Sequence, residues 1–519
     1  MNKRLEQRAA GILLHITSLP GPYGIGDFGP DAYRFVDWLA SAKQTLWQWL
    51  PTTPVGPGDS PYQSPSAFAG SPLMVALEPL VERGWLARVE LPAEGFPSAR
   101  VDFRRVIPWR EQQLRRAAQG FFARATAHER TEFSAWCHAQ AAWLDEYALF
   151  MALFNAHGCK PWWEWRGPLR HRDARALAEA RQQHAGEIDF HRFVQWCWDT
   201  QCRALKAYAN ARGIALIGDI PIYVADNSAD VWSRPDLYEL GSDGLPSVIA
   251  GVPPDPLGPD GQRWGNPIYR WDRMAAEGYA WWAERVKRVL AQADIVRIDH
   301  FRGFAGYWEI PASSPTAKVG RWVEGPRLPL FQAIEKQLGA LPIIAEDLGL
   351  ITPDVVALIE GCGFPRMKVL IFGFGGDGTH EFLPHNYAPR TIVYTSTHDT
   401  DTARGWWDHA SEAERHFAGA YLACDGASFH WAAIRACMNS VSHLAVFPLQ
   451  DVLGLPSAHR MNLPGTLGPE NWSWRFDWPM LGAEPARVLA LMSHTGGRDG
   501  SRPRPAEPLD GYLAPSPRA

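Results

Sequence analysis

Four apolar runs in this chain each stop at a carboxylate: Gly218-Asp219-Ile220-Pro221, Val296-Arg297-Ile298-Asp299-His300, Ala345-Glu346-Asp347 and Ser396-Thr397-His398-Asp399. One Asp at such a place is ordinary, because Asp closes turns and caps helices. Four together gather acids at one end of the sheet that the runs would form. Arg297 and Asp299 are two residues apart, so on a strand both side chains project to the same side. An arginine beside a carboxylate favours its ionised form, which suits a nucleophile. Glu346 follows the apolar Pro342-Ile343-Ile344-Ala345. Partial burial among other acids raises a carboxyl pKa and keeps it protonated, which suits a general acid. Retaining glycoside chemistry needs this pair, one carboxylate forming a covalent glycosyl ester while the other protonates the leaving oxygen, with the two carboxyls about 5–5.5 Å apart. His398 and Asp399 would place an imidazole and a carboxylate on sugar hydroxyls. A metal site is the competing use of clustered acids, and Arg297 argues against it by already supplying positive charge. The expectation is therefore no metal and no cofactor. The sequence holds no nucleophile elbow and no phosphate loop.

The elements that must position these residues are short, β-branched apolar runs bounded by turn residues, which read as buried parallel strands. Eight occur, at residues 11–16, 45–53, 215–224, 294–301, 342–348, 369–374, 391–398 and 445–453. Helical patterns separate most of them; Thr352-Pro353-Asp354, for instance, supplies a cap, a first-turn proline and an acid, and the helix it opens stops near Gly361. Eight strands alternating with helices predict an α/β fold, a (β/α)8 TIM barrel with large, mainly helical insertions, whose active site lies at the C-terminal ends of the strands. The expected division is a barrel start at 1–55, a helical insertion bordering the cleft at 56–190, the rest of the barrel at 191–492 and a disordered tail at 493–519. In the insertion, Trp143, Leu144, Tyr147, Phe150, Met151 and Phe154 share a helix face that Gly158 closes. Residues 495–519 hold five Pro, four Gly and four Arg with few apolar side chains, which is too little to order a segment. The glycines from Gly373 to Gly378 read as a flexible loop.

Composition narrows the function. The chain has 519 residues, and 51 Lys+Arg against 56 Asp+Glu leave a formal charge of −5, so a polybasic surface for nucleic acid is excluded. Seven cysteines, an odd count with no Cys-x-x-Cys, read as reduced thiols of a cytoplasmic protein. No apolar run reaches the roughly 18 residues a membrane span needs, and the polar N-terminus does not read as a signal peptide. Most of the 25 Trp are expected in packing. Pro161-Trp162-Trp163-Glu164-Trp165 is read as inter-helix packing, with a sugar platform as its alternative.

The strings Ile298-Asp299-His300-Phe301-Arg302-Gly303, Ala345-Glu346-Asp347-Leu348-Gly349 and Thr397-His398-Asp399-Thr400 resemble the amylomaltases, or 4-alpha-glucanotransferases, of glycoside hydrolase family 77 in the alpha-amylase clan. Longer strings narrow the resemblance to that family: Asp59-Ser60-Pro61-Tyr62-Gln63-Ser64, Gly261-Gln262-Arg263-Trp264-Gly265-Asn266-Pro267 and Asn462-Leu463-Pro464-Gly465-Thr466. The likeness runs from about residue 11 to 490. It implies Asp299 as nucleophile, Glu346 as general acid/base and Asp399 as the third acid, assisted by His398. Arg297 and Asp219 would orient that constellation. Tyr62, Gln262, Trp264 and Asn462 would line the sugar subsites, Trp264 from a loop over the cleft. The implied activity passes an alpha-1,4-glucan segment from a donor maltooligosaccharide or amylose to the 4-hydroxyl of an acceptor glucose or glucan, without a cofactor and without nucleic-acid or membrane partners. Two departures stand out: residues 256–260 lack the aromatic that covers the site in some relatives, and Ser71 stands where Asn is more usual. A hydrolase of the same clan shares the catalytic trio and differs only in what intercepts the glycosyl-enzyme. A non-catalytic glucan-binding protein would be expected to lack Asp299 or Glu346, and neither is missing.

Overall fold

The computed structural model describes residues 3–91, 95–254 and 259–501. Eight parallel strands close into a barrel in sequence order: Ala9–Leu13, Leu46–Gln48, Ala215–Pro221, Ile295–Asp299, Ile343–Ala345, Arg366–Val369, Thr391–Tyr394 and Leu444–Pro448. The last pairs with the first, Ala9 opposite Leu444, and removes the sheet's edges. Almost every strand residue is buried, which is why the strands read as continuous apolar runs rather than alternating ones.

The sixth strand differs from expectation. It runs Arg366–Val369, and the apolar run after it forms a 3-10 helix over Leu370–Gly375. Lys368 and Arg366 had masked the strand, because their charged heads are held by Glu381 and Asp347. Periodicity cannot separate a short buried helix from a short buried strand. The start of the expected flexible loop lies in that helix, with Phe374 packed on Trp406 and Phe429.

Between the second and third strands lie the helices Phe103–Arg124, Ala127–Ala156, Ala174–Gln183 and Ala185–Ala211. Thr126 and Glu129 form a capping box at the start of the second, and Gly158, at φ 66, follows its end. The fourth crosses the expected boundary at 190 and leads back into the barrel. Trp162 and Trp165 are buried: Trp162 Nε1 donates to the Asp226 carbonyl and Trp165 packs on Trp232, so this knot is packing.

Two features were not legible. An antiparallel sheet of Gln262–Pro267, Val248–Val252, Gly306–Pro311 and Arg321–Glu324, in that order, flanks the barrel mouth. Gln-Arg-Trp-Gly-Asn-Pro has loop composition, and only pairing with Val248–Val252 makes it extended. Trp264 therefore stands on a strand, not on a loop. The second correction concerns the tail. The helix Ala483–Thr495 is followed by Arg498, which is fully buried and donates to the carbonyls of Met438, Ala9, His443, Ser440 and Ser442. All five guanidinium donors are used, so residues 493–501 are docked by hydrogen bonds rather than apolar burial. The rest of the expected tail, 502–519, lies outside the described residues, as do residues 255–258 of the loop that departs from the family. Among the described residues no helix is long and apolar enough to cross a membrane.

Candidate active site

The acids gather at the barrel mouth because neighbouring strands run in register. Asp219 pairs with Arg297 across the third and fourth strands, and Ile298 with Ala345 across the fourth and fifth. Asp299 and Glu346, each one residue beyond that last pair, stand level on strands about 4.8 Å apart. The fourth strand ends where His300 takes a left-handed conformation, φ 53 and ψ 47. That turn costs about 1–2 kcal/mol for a residue with a Cβ. It also aims the His300 N–H at Glu346: Oε2 accepts it at 2.6 Å, and Oε1 accepts the Leu348 N–H at 2.8 Å.

Arg297 lies between two carboxylates and is 4% exposed. Its Nη1 donates to both oxygens of Asp219 at 2.8 Å and its Nη2 to Asp299 Oδ1 at 2.7 Å. Burial pushes Glu346 up to about 8, Asp299 adds to the rise, and Arg297 and the two backbone donors oppose it. Burial also moves Asp299 above its ordinary value; Arg297 pulls it back, while Asp219 and Asp399 reinforce the rise. Arg297 acts on Asp299 in the expected direction, and desolvation outweighs it. The order of the pair survives. Asp299 keeps 28% of its side-chain surface in solvent and holds the guanidinium, an arrangement that favours the negative charge on Asp299 and the proton on Glu346.

The second pair is held by its own partners. His398 Nε2 stands 3.2 Å from Asp399 Oδ2. Burial works to lower the pKa of His398, but Asp399 more than reverses that and raises it. Burial works the other way on Asp399, yet His398 and Asn462 bring its carboxyl down to about 2. Asn462 Nδ2 donates to Asp399 Oδ1 at 2.7 Å, and Arg460 donates to the Asp399 carbonyl.

Tyr62 joins the two halves. Its hydroxyl donates to Asp219 Oδ2 at 2.7 Å and lies 2.9 Å from His398 Nε2, while its ring stacks on the imidazole at 5.5 Å and 5°. With its one proton given to Asp219, the hydroxyl accepts from the histidine. A continuous polar path then runs from Asp399 through His398, Tyr62, Asp219 and Arg297 to Asp299. Trp264 meets His300 edge-on at 4.8 Å, and Gln262 accepts from the Trp264 indole. Gln262 itself is exposed, and among the described residues it is linked to the centre through that tryptophan.

Sequence reasoning missed His15, Trp472 and Arg460. His15 follows the first strand and is held neutral, its pKa down to about 3, by burial and then by His398. Its place at the end of an apolar run, the same signal that marked the acids, could have found it. Trp472 packs against Tyr62 at 5.6 Å, and nothing local in the sequence marks it.

A closed parallel barrel with an Asp–Glu pair, a bridging arginine and a His–Asp pair at its C-terminal mouth is built to act on glycosidic bonds. The family is defined by comparison with known proteins. A family model described as 4-alpha-glucanotransferase matches residues 14–480. The chain is 50% identical to a 4-alpha-glucanotransferase of Thermus thermophilus over 499 residues, 95% of this chain and 99% of that one. It is 46% identical to one from Synechocystis, over 95% and 99% of the two chains. The solved amylomaltase of Streptococcus agalactiae in complex with acarbose superposes with a TM-score of 0.91 at 38% identity, over 95% of this chain and all of that one. The chain belongs to the 4-alpha-glucanotransferase family.

Proposed function

We propose that this enzyme transfers an alpha-1,4-glucan segment by double displacement with retention. Asp299 attacks the anomeric carbon while Glu346 gives its proton to the leaving glycosidic oxygen, which forms a glycosyl ester on Asp299 and frees the reducing-end fragment. The 4-hydroxyl of an acceptor glucose or maltooligosaccharide then loses its proton to Glu346 and displaces Asp299, so the acid is regenerated each cycle. The observation that carries this reading is the divergence of two level carboxyls, one buried and raised to about 8, the other bound to Arg297. Asp399 and His398 would hold sugar hydroxyls at the cleavage point; the 43% exposure of the Asp399 side chain leaves it open to them. Tyr62 and Asn462 would shape that subsite, Trp264 and Gln262 the neighbouring one, with Arg297 and Asp219 orienting the centre. No cofactor enters the scheme. The seven unpaired thiols favour a cytoplasmic setting.

The test is a product time course on pure maltotriose at neutral pH, with all oligosaccharides separated. Glucose together with maltopentaose and longer chains is the expected result. Glucose and maltose alone at high substrate would make water the acceptor and the protein a hydrolase.

A further inference from the structure

Asp451 is fully buried on the short helix Leu449–Val452 that follows the eighth strand. Among the described residues no cation pairs with it. Three donors hold its carboxylate instead: Oδ2 accepts from the Thr395 and Ser396 hydroxyls at 2.5 and 2.6 Å, and Oδ1 from the Ala403 N–H at 2.7 Å. Burial pushes the carboxyl up to about 6 and Asp401 adds to the rise, while the three hydrogen bonds favour the ionised form. A carboxylate in such a place is weak support for stability, because an apolar side chain of similar volume packs as well without losing hydration.

Its partners show what it holds. Thr395 and Ser396 leave the end of the seventh strand, and Ala403 opens the helix Ala403–His409. All three are buried. The loop between them, residues 395–403, carries His398 and Asp399. Both ends of that loop are therefore bonded to the two oxygens of one carboxylate. The clamp crosses the seam between the seventh and eighth strands, where Tyr394 pairs with Val446. An amide in its place would offer one accepting oxygen to three donors. Asn462 and Arg460 hold Asp399 itself, whereas Asp451 holds the loop that delivers it.

We propose that Asp451 is a positioning residue for glucan transfer: by clamping both ends of the loop 395–403 it sets where Asp399 meets the sugar. The inference rests on the glucanotransferase reading, in which Asp399 holds sugar hydroxyls at the cleavage point. A small misplacement of a group that acts in the transition state costs turnover more than substrate binding.

The test is a double-mutant cycle with Asp399→Asn, read as fluoride release from maltosyl fluoride with glucose as acceptor; the reactive donor keeps the slow variants measurable. Asp451→Ala should lower kcat at least tenfold and change KM less than threefold. In the Asp399→Asn background the same substitution should cost less than twofold, because the residue through which it acts is already disabled. Ser396→Ala removes one of the three donors and leaves the carboxylate held by the other two. It should lower kcat about threefold with the same dependence on Asp399, and it decides the matter if Asp451→Ala fails to fold. A kcat within twofold of the wild type, a loss confined to KM or to melting temperature, or an equal loss with and without Asp399→Asn overturns the proposal. Any of these from a chain whose wild type lengthens maltotriose overturns the positioning role alone; a wild type that does not lengthen maltotriose overturns the glucanotransferase reading and the role with it.

Discussion

The hydroxyl of Tyr62 donates to Asp219 at 2.7 Å, and Asp219 in turn takes both of its oxygens to Arg297. The contact lies between residues 157 positions apart, and it ties the loop after the second strand to the charge that holds Asp299. Tyr62→Phe keeps the ring and its stacking on His398 and removes only the bridge. Its expected effect is a fall in kcat of about 10–100-fold with a much smaller change in KM and in melting temperature, as for loss of one hydrogen bond in a buried network. Equal losses in kcat and in thermal stability would make the residue a packing element instead.

Replacing the two carboxylates proposed to be catalytic separates their roles. Asp299→Asn should lower turnover by roughly four orders of magnitude or more with the fold intact, since no glycosyl ester can form. Glu346→Gln should be slow on maltotriose and recover glycosylation with maltosyl fluoride, whose leaving group needs no proton. Circular dichroism reports the fold, and single-turnover kinetics reports the step. No rescue of Glu346→Gln by the fluoride would refute its assignment as the acid.

The pH profile follows from the same pair. kcat/KM should fall on the alkaline side as Glu346 loses its proton near 8, and on the acid side as Asp299 is protonated somewhat above the ordinary Asp range. Glu346→Gln should remove the alkaline limb from the fluoride reaction.

Stability carries the opposite mark of that pKa. A carboxyl raised in the folded state is protonated there while the unfolded chain has already lost the proton, so unfolding becomes easier as pH rises from the ordinary Glu value toward 8. Glu346→Gln escapes this penalty. Its free energy of unfolding relative to the wild type should rise between about pH 4.5 and 8, by on the order of 2–4 kcal/mol at the top. A constant margin across that range would place the Glu346 pKa near its normal value.

Arg498 makes the C-terminal segment a structural part. A chain ended after Thr495 should melt several degrees below one ended after Ser501, because the shorter one leaves buried carbonyls of Ala9 and His443 without that donor. Arg498→Lys should fall near the shorter chain, since one ammonium cannot reach five carbonyls. Equal melting curves for the two chains would mean that Arg8, which also binds the Ser440 and Met438 carbonyls, suffices.

The barrel and its acids were legible in the sequence for a local reason. Strands buried on both faces are continuous apolar runs, and the residue at which each run stops is the residue at the barrel mouth, so Asp219, Asp299, Glu346 and Asp399 could be read without knowing any neighbour. Tyr62, Trp264 and Asn462 came from resemblance to the family, because nothing in their own segments marks them. The tertiary structure decided what depends on distant partners. Desolvation, which is a property of the closed barrel, outweighs the arginine at Asp299. The strand bearing Trp264 is extended only because Val248–Val252 pairs with it, and Arg498 docks a segment of disordered composition through carbonyls of residues 9 and 438–443. Hydrophobic periodicity is written along the chain; hydrogen-bond partners and dielectric surroundings arise only when remote segments meet.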